Sequence, residues 1–380
     1  MIHVVMPHGR DGSSTRIRVY EWLERTAAPC VMSSYLSHWN SSPSYLLQHP
    51  VAVLAAERRL RRMASDRPQR LLLHREASPL SRGNLERRLL TSSEFAVFDF
   101  DDALQWDRGG GRLYRRLAPK APKALSAVQH ADRVIAGNEV LADWASRHNN
   151  DVVVIPSCVS PESYRQKTDY ELSDPPRLGW IGSPNNERYL ALVAPALRQI
   201  HRRTGARLTL ICATRPSLGG LEDMIDRVPW SEAIQHEMLA DFDVGIFPLT
   251  DEPYSHGKCG YKLLQYGAAG VPAVASPIGV NGQILSQFGM PSARDNGEWV
   301  EAILDLLSKS SNIRSALGRR ARDETQAHYS YDVWLPHWRW AVGIEGPDRA
   351  SPAPPRGLVR GVDAEHRRSS QQFRKESTRG

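Results

Sequence analysis

The sequence predicts an α/β chain of two Rossmann-like units in tandem, facing each other across a cleft, with a C-terminal helix crossing between them. Three observations predict it. Short apolar runs alternate with helical stretches along most of the chain, the pattern of parallel sheets covered by helices. The alternation breaks at a polar, proline-containing stretch between residues 159 and 176 and then restarts. A chain of 380 residues with 41% hydrophobic content is large for one domain and sufficient for two cores.

The first unit is expected over residues 1–165. It opens with the apolar run Ile2 to Met6, the polar loop Pro7-His8-Gly9-Arg10-Asp11-Gly12-Ser13-Ser14-Thr15, and a helical pattern through Tyr20, Trp22 and Leu23. Strands follow at Arg70 to His74, Phe95 to Phe100, Arg133 to Ala136 and Asp151 to Ile155. Residues 166–176, ending in Asp174-Pro175-Pro176, read as the linker. The second unit, 177–330, has strands at Arg177 to Gly182, Leu208 to Cys212, Asp243 to Pro248 and Pro272 to Ser276. The stretch 331–344 carries Trp334, Trp338 and Trp340 and reads as the crossing helix, while 345–380 is a basic segment among Pro, Ser and Gly with too little apolar content to fold.

No apolar run approaches the roughly 20 residues that cross a bilayer, and Met1 to Pro7 lacks the basic start and long apolar core of a signal peptide. The expectation is a cytoplasmic protein, with peripheral attachment to the inner face of an anionic membrane left open by its charge. Cys30, Cys158, Cys212 and Cys259 lie far apart with no CxxC pair, which argues against a zinc site or a disulfide framework. The net charge is +7. Much of it is local: Arg58, Arg59, Arg61, Arg62, Arg67, Arg70 and Arg75 form one cluster, and Arg112, Arg115, Arg116, Lys120 and Lys123 a second. These clusters read as solvated helix faces or as a surface for an acidic acceptor or lipid headgroups. Nucleic acid is not expected as a partner.

The chemistry concentrates between Asp243 and Gln283. Strand Val244 to Pro248 leads through a loop to a helix expected over Lys258 to Ala268, then Gly270 and strand Pro272 to Ser276. In a parallel βαβ unit that helix N-terminus faces the carboxyl edge of the sheet, where ligands bind and where unpaired N–H groups favour a phosphate. Lys258, Lys262 and Gln265 are spaced i, i+4, i+7 and so share one helical face. The stripe matches a diphosphate at the helix mouth with a ribose hydroxyl beside the amide, and Gly257 and Gly260 would let the backbone approach an anion. Two ordinary surface lysines on a solvated face are the plainer alternative.

The segment Leu263-Leu264-Gln265-Tyr266-Gly267-Ala268-Ala269-Gly270-Val271-Pro272-Ala273-Val274-Ala275-Ser276 resembles the donor-binding region of the retaining glycosyltransferases of family four, a "glycosyl transferases group 1" type. Gly179-Trp180-Ile181-Gly182-Ser183 resembles the first strand and phosphate-facing loop of the same domain, and Ala131-Asp132-Arg133-Val134-Ile135-Ala136-Gly137-Asn138-Glu139 the last strand and turn of the N-terminal one. The resemblance implies the GT-B architecture and transfer of a sugar from a nucleotide diphosphate donor to an acceptor hydroxyl with retention of anomeric configuration. It implies no metal and no other cofactor. The acceptor, whether glycan, lipid-linked sugar or small molecule, is not specified. Two departures stand out. The family's two glutamates seven residues apart correspond to Gly257 and Gln265, and the Arg and Lys after the first C-domain strand correspond to Ser183 and, approximately, Arg188.

Lys258 and Lys262 are thus the candidates to stabilise the leaving diphosphate. Gly12, Ser13, Gly182, Ser183, Arg188, Gly257 and Gln265 are the candidate donor contacts. Arg16 and Arg18, as alternate helical residues, cannot both face the cleft. Asp99 and Asp101 form a DxD pair at a strand end, the metal-binding signature of the other large glycosyltransferase architecture. A second phosphate-binding unit so far downstream argues for placing Asp101 on the acceptor or sugar side instead, with helix capping as the alternative. His74, Glu76 and Arg16 are assigned to the same wall. A nucleotide-sugar epimerase, a non-catalytic nucleotide-sugar binder and a module for anionic surfaces remain as other readings.

Overall fold

A computed structural model describes residues 1–35, 43–107, 119–213 and 218–345. The expected basic tail and Arg112, Arg115 and Arg116 lie outside the described residues. The first sheet has strands β1 (Ile2–Met6), β2 (Cys30–Ser34), β3 (Arg70–His74), β4 (Phe95–Phe100), β5 (Arg133–Ala136) and β6 (Val152–Val154), in the order β2-β1-β3-β4-β5-β6. The second has β7 (Arg177–Ile181), β8 (Arg207–Cys212), β9 (Ile225–Pro229), β10 (Val244–Phe247) and β11 (Ala273–Ala275), ordered β11-β10-β7-β8-β9. Every pairing is parallel. This is the arrangement of two parallel α/β units that the alternation predicts.

Each sheet is covered on both faces. Val5, Leu71, Leu73 and Phe98 point to one side of the first sheet, into the layer made by helices Pro50–Ser65, Asn84–Ser92 and Lys120–His130. Val4, Leu72, Val97 and Ile135 point to the other, where Trp22 and Trp338 stack in parallel planes 5.6 Å apart. Period-2 alternation of apolar residues therefore fails in the central strands, which are buried on both sides. The two strands that the sequence does not announce, β2 and β9, are edge strands. Only Ser33 of β2 and Ile225 of β9 are buried, so neither carries a hydrophobic signature.

The segment after β6 is pinned to the second domain. Lys167 N–H donates to Ala269 carbonyl at 2.8 Å, the Tyr170 hydroxyl to Gly270 carbonyl at 2.8 Å, and Arg314 grips the Tyr170 carbonyl. Helix Ser311–Tyr329 lies on helix Tyr261–Ala269, and the chain then turns at Ser330 into helix Tyr331–Ala341, which docks on the first domain. Tyr331 meets Trp22 edge-on at 4.7 Å, and Arg133 donates to the Trp340 carbonyl at 3.2 Å while its guanidinium lies 3.7 Å from the Trp340 ring centre.

Two expectations of the fold need correction. The helix expected from Lys258 begins at Tyr261, because Gly260 adopts the left-handed conformation at φ +65° and interrupts it. Lys258 therefore lies in the loop before the helix, and the i, i+4, i+7 stripe does not exist as a single helical face. The basic clusters are not uniformly solvated: Lys123 is buried, with its ammonium on Glu76 at 2.6 Å and on the carbonyls of Ser78 and Pro79. Arg75 turns inward onto Asp101 and Asp102.

Candidate active site at two facing crevices

Strand order reverses between β1 and β3 in the first sheet and between β10 and β7 in the second. Connections leaving the strands on either side of such a point run in opposite directions, which opens a crevice at the carboxyl edge. The candidate residues gather at these two points.

On the first wall, Asp99 is fully buried between Arg18, whose Nε lies at 3.2 Å and Nη2 at 2.5 Å, and His74 Nδ1 at 2.8 Å. Burial by itself would raise the carboxyl's pKa. The Arg18 charge and the His74 hydrogen bond outweigh it and hold Asp99 below the usual carboxylate range. An ionised Asp99 needs a donor, so His74 carries its proton on Nδ1 and presents Nε2 to Ser14 Oγ at 3.0 Å. Ser14 Oγ also lies 2.7 Å from both carboxylate oxygens of Asp101, so its one proton serves either neighbour. Arg75 completes the wall, donating from Nε to Asp101 at 2.7 Å and from Nη2 to Asp102 at 2.5 Å. Here too burial would raise the Asp101 pKa, and Arg75 with the neighbouring cations drives it well below normal.

The opposite wall belongs to Lys262, in the first turn of helix Tyr261–Ala269. Its ammonium lies 4.6 Å from the Phe247 ring centre and 5.3 Å from that of Trp180, at the ends of β10 and β7. Gly182 makes room for it, since a Cβ there would come within 2.9 Å of Lys262 Cε and 2.6 Å of the Trp180 ring. Burial, and then repulsion from Lys258, lower the Lys262 pKa to about 7. Among the described residues, Lys262 has no ion pair, whereas Lys258 sits 3.9 Å from Asp102 and 4.7 Å over the Tyr254 ring.

The walls touch beneath the lysines. The Asn138 side-chain amide donates to the Gly257 carbonyl at 2.9 Å and the Lys258 carbonyl at 3.3 Å, while its oxygen caps the helix Glu139–Ala145 at Leu141 N. The Cys259 thiol, its pKa pushed up by burial and by Asp101, donates to the Asp101 carbonyl at 3.2 Å. Arg16 reaches the second domain separately, with its guanidinium 5.0 Å from the Trp230 ring centre. Arg18 turns the opposite way, into the first core, as alternate positions require.

Several site residues stand elsewhere than their spacing predicts. Gly257 has φ −80° and serves the approach of the first domain rather than of an anion: a Cβ there would fall 2.5 Å from Ala103 Cβ. Gln265 is 4% exposed, and its amide donates to the Tyr164 hydroxyl at 3.3 Å and to Gln235 at 3.2 Å, so it braces the segment between the domains. His74 is wholly buried and meets the cleft only through Ser14. Glu76 is occupied by Lys123. Gly12 begins the turn Ser13–Thr15, with Ser13 exposed. Ser183 starts the turn Pro184–Glu187 and accepts from Asn186 Nδ2 at 2.9 Å. Arg188 rests on Tyr189, its guanidinium 3.2 Å from that hydroxyl. The DxD pair is not an open metal site, because Asp99 is saturated by Arg18 and His74 and Asp101 by Ser14 and Arg75. Among the described residues no cluster of three or more His, Cys, Asp or Glu fits a metal ion.

Sequence reasoning passed over Arg75, Asn138 and Trp230. Asn138 carries a local signal, as a cap residue directly after a strand. Arg75 and Trp230 carry none, since only the fold brings them to the cleft.

Residues 175–309 match the family model described as glycosyl transferases group 1. No curated protein matches the chain in sequence. Among solved structures, sucrose-phosphate synthase from Thermosynechococcus elongatus aligns with a TM-score of 0.66 at 14% identity, over 88% of this chain and 96% of that one. WaaG, a glycosyltransferase involved in lipopolysaccharide biosynthesis, gives 0.62 at 13% identity over 90% and 99%. Anabaena HepE in complex with UDP-glucose gives 0.62 at 13% identity over 87% and 96%. Two facing Rossmann-like sheets, a group 1 match confined to the second domain and these neighbours give the chain the GT-B fold shared with glycosyltransferases.

Proposed function

We propose that this chain transfers a sugar from a nucleotide diphosphate donor to an acceptor hydroxyl, with the diphosphate held between Lys262 and Lys258. The observation that carries the reading is Lys262. Its ammonium is desolvated, is pressed by Lys258 and, among the described residues, makes no ion pair at the carboxyl edge of β7 and β10, a setting in which a diphosphate would be strongly favoured. Departure of the nucleotide diphosphate develops negative charge, and fixed ammonium groups stabilise that charge most in the transition state. The solved HepE complex with UDP-glucose supports the donor class.

Retention is the stereochemical outcome we infer. Asp99 and Asp101 are both tied to guanidinium groups, which leaves neither placed as a nucleophile for an anomeric carbon. The acceptor hydroxyl then attacks on the face the diphosphate leaves, and the departing phosphate oxygen takes its proton. No metal is required in this scheme, the lysines carrying the charge that a cation would. The test is turnover of nucleotide-sugar donors with candidate acceptors in the presence of EDTA, with the product anomer read by NMR coupling. Donor binding with no transfer to any acceptor would leave a silent binder, and donor rearrangement without an acceptor would favour an epimerase. An inverted product would move the proton acceptor to the Ser14–His74–Asp99 chain.

A further inference from the structure

The outward face of the first domain's helical layer joins bare aliphatic side chains to a strip of arginines. Helix Pro50–Ser65 buries Val53, Ala56, Leu60 and Met63, so positions 51, 54, 58, 61 and 62 lie towards the opposite face. Val51 is 79% exposed and Leu54 56%, and Leu47 in the preceding helix is 80% exposed. Arg58, Arg61 and Arg62 continue the same face and are exposed. The helix's one carboxylate, Glu57, turns away to Tyr35 and Ser78. The neighbouring helix Asn84–Ser92 prolongs the positive strip: Arg88 reaches Ser65 Oγ at 3.4 Å, and Arg87, Arg88 and His130 line an open pocket of about 540 Å³.

We propose that this face docks on an anionic lipid bilayer. Large aliphatics ahead of a row of guanidinium groups fit an interface in which the apolar chains enter the acyl boundary and the cations meet headgroup phosphates. A nucleic acid would engage the arginines and leave the aliphatics in water. The fold also sets the orientation. Arg59 donates to the carbonyl of Ser34, the last residue of β2, at 2.6 Å, and the helix then runs back to the start of β3. Its aliphatic end therefore lies at the carboxyl edge of the sheet, the edge that carries the cleft. A bilayer docked here brings membrane-borne acceptors to the mouth of the site, which is the one part of this inference that rests on the transfer reaction proposed above.

The experiment is co-sedimentation of the full chain with phosphatidylcholine vesicles, with and without phosphatidylglycerol. Binding is expected to the anionic vesicles and to be weak to the neutral ones. Val51→Asp/Leu54→Asp should abolish it while leaving melting temperature and nucleotide binding unchanged, which separates the helix from the basic chain terminus. Arg58→Ala/Arg61→Ala/Arg62→Ala should weaken it roughly 100-fold, in line with the contribution of each basic residue near an anionic surface. Wild-type binding by the aliphatic double variant, displacement by duplex DNA, or equal sedimentation with both vesicle types would overturn the proposal. So would no sedimentation with either.

Discussion

Lys262 and Lys258 reach the same cleft by different local routes, one from the first helical turn and one from the loop before it. If they carry the leaving group, replacing either by Ala lowers turnover about 10²-fold, comparable to losing one preorganised donor, while donor affinity falls less; steady-state kinetics check both. Lys262 also gives the site a pH dependence with a definite sign. Its pKa in the free protein is about 7, and a bound diphosphate favours the ammonium. Donor binding should take up a proton near neutrality and weaken as pH rises above 7, which calorimetry in buffers of different ionisation enthalpy will show. Stability runs the other way. A lysine with a depressed folded-state pKa leaves the unfolded chain binding more protons between pH 7 and its ordinary value of about 10.4, so stability rises with pH across that interval. Lys262→Met should flatten that rise in a thermal melt series.

At the scale of elements, the loop 257–260 does more than lead into a helix. Its carbonyls are held by Asn138, its thiol by Asp101, and its first glycine by the width of the gap to Ala103 and Leu141. Gly257→Val should push these surfaces apart without unfolding either sheet. The expected outcome is turnover reduced by about 10²-fold, as for a displacement of roughly 1 Å at reacting groups, with the circular dichroism spectrum unchanged. Unaltered kinetics would show that the contact between Gly257 and Ala103 does not set the cleft. The same loop shows where local reading stops. Lysine spacing points to a helical stripe, and only the left-handed turn at Gly260 shows that the helix starts later. The position suits glycine on two counts, its φ of +65° and the 2.5 Å that would separate an added Cβ from Ile284 Cδ1.

For the whole molecule, the closing helix is the element that returns the chain from the second domain to the first. Trp338 is fully buried against Trp22, and Trp338→Ala should cost about 3–5 kcal/mol. Because helix Tyr331–Ala341 belongs to the first domain's core but follows the second in sequence, that loss should appear as a lowered and less cooperative melt, checked by calorimetry.

What the amino-acid order settles alone is whatever depends on neighbours in the chain. Strands buried on both faces read as apolar runs, the Ala-Gly-Val-Pro turn after residue 268 ends its helix, and the break before residue 177 separates two alternating series. The architecture was legible because these signals are local and repeat. The candidate wall was only partly so. Asp99 and Asp101 look alike in sequence, yet the register of β3 with β4 sets His74 opposite Asp99, and the turn after β1 brings Arg18 and Ser14 to them. Lys262 becomes a strained cation only because strand order places the ends of β7 and β10 beside each other. Those partners are far apart along the chain, and their meeting is decided by sheet order and register, which side-chain spacing within one segment does not encode.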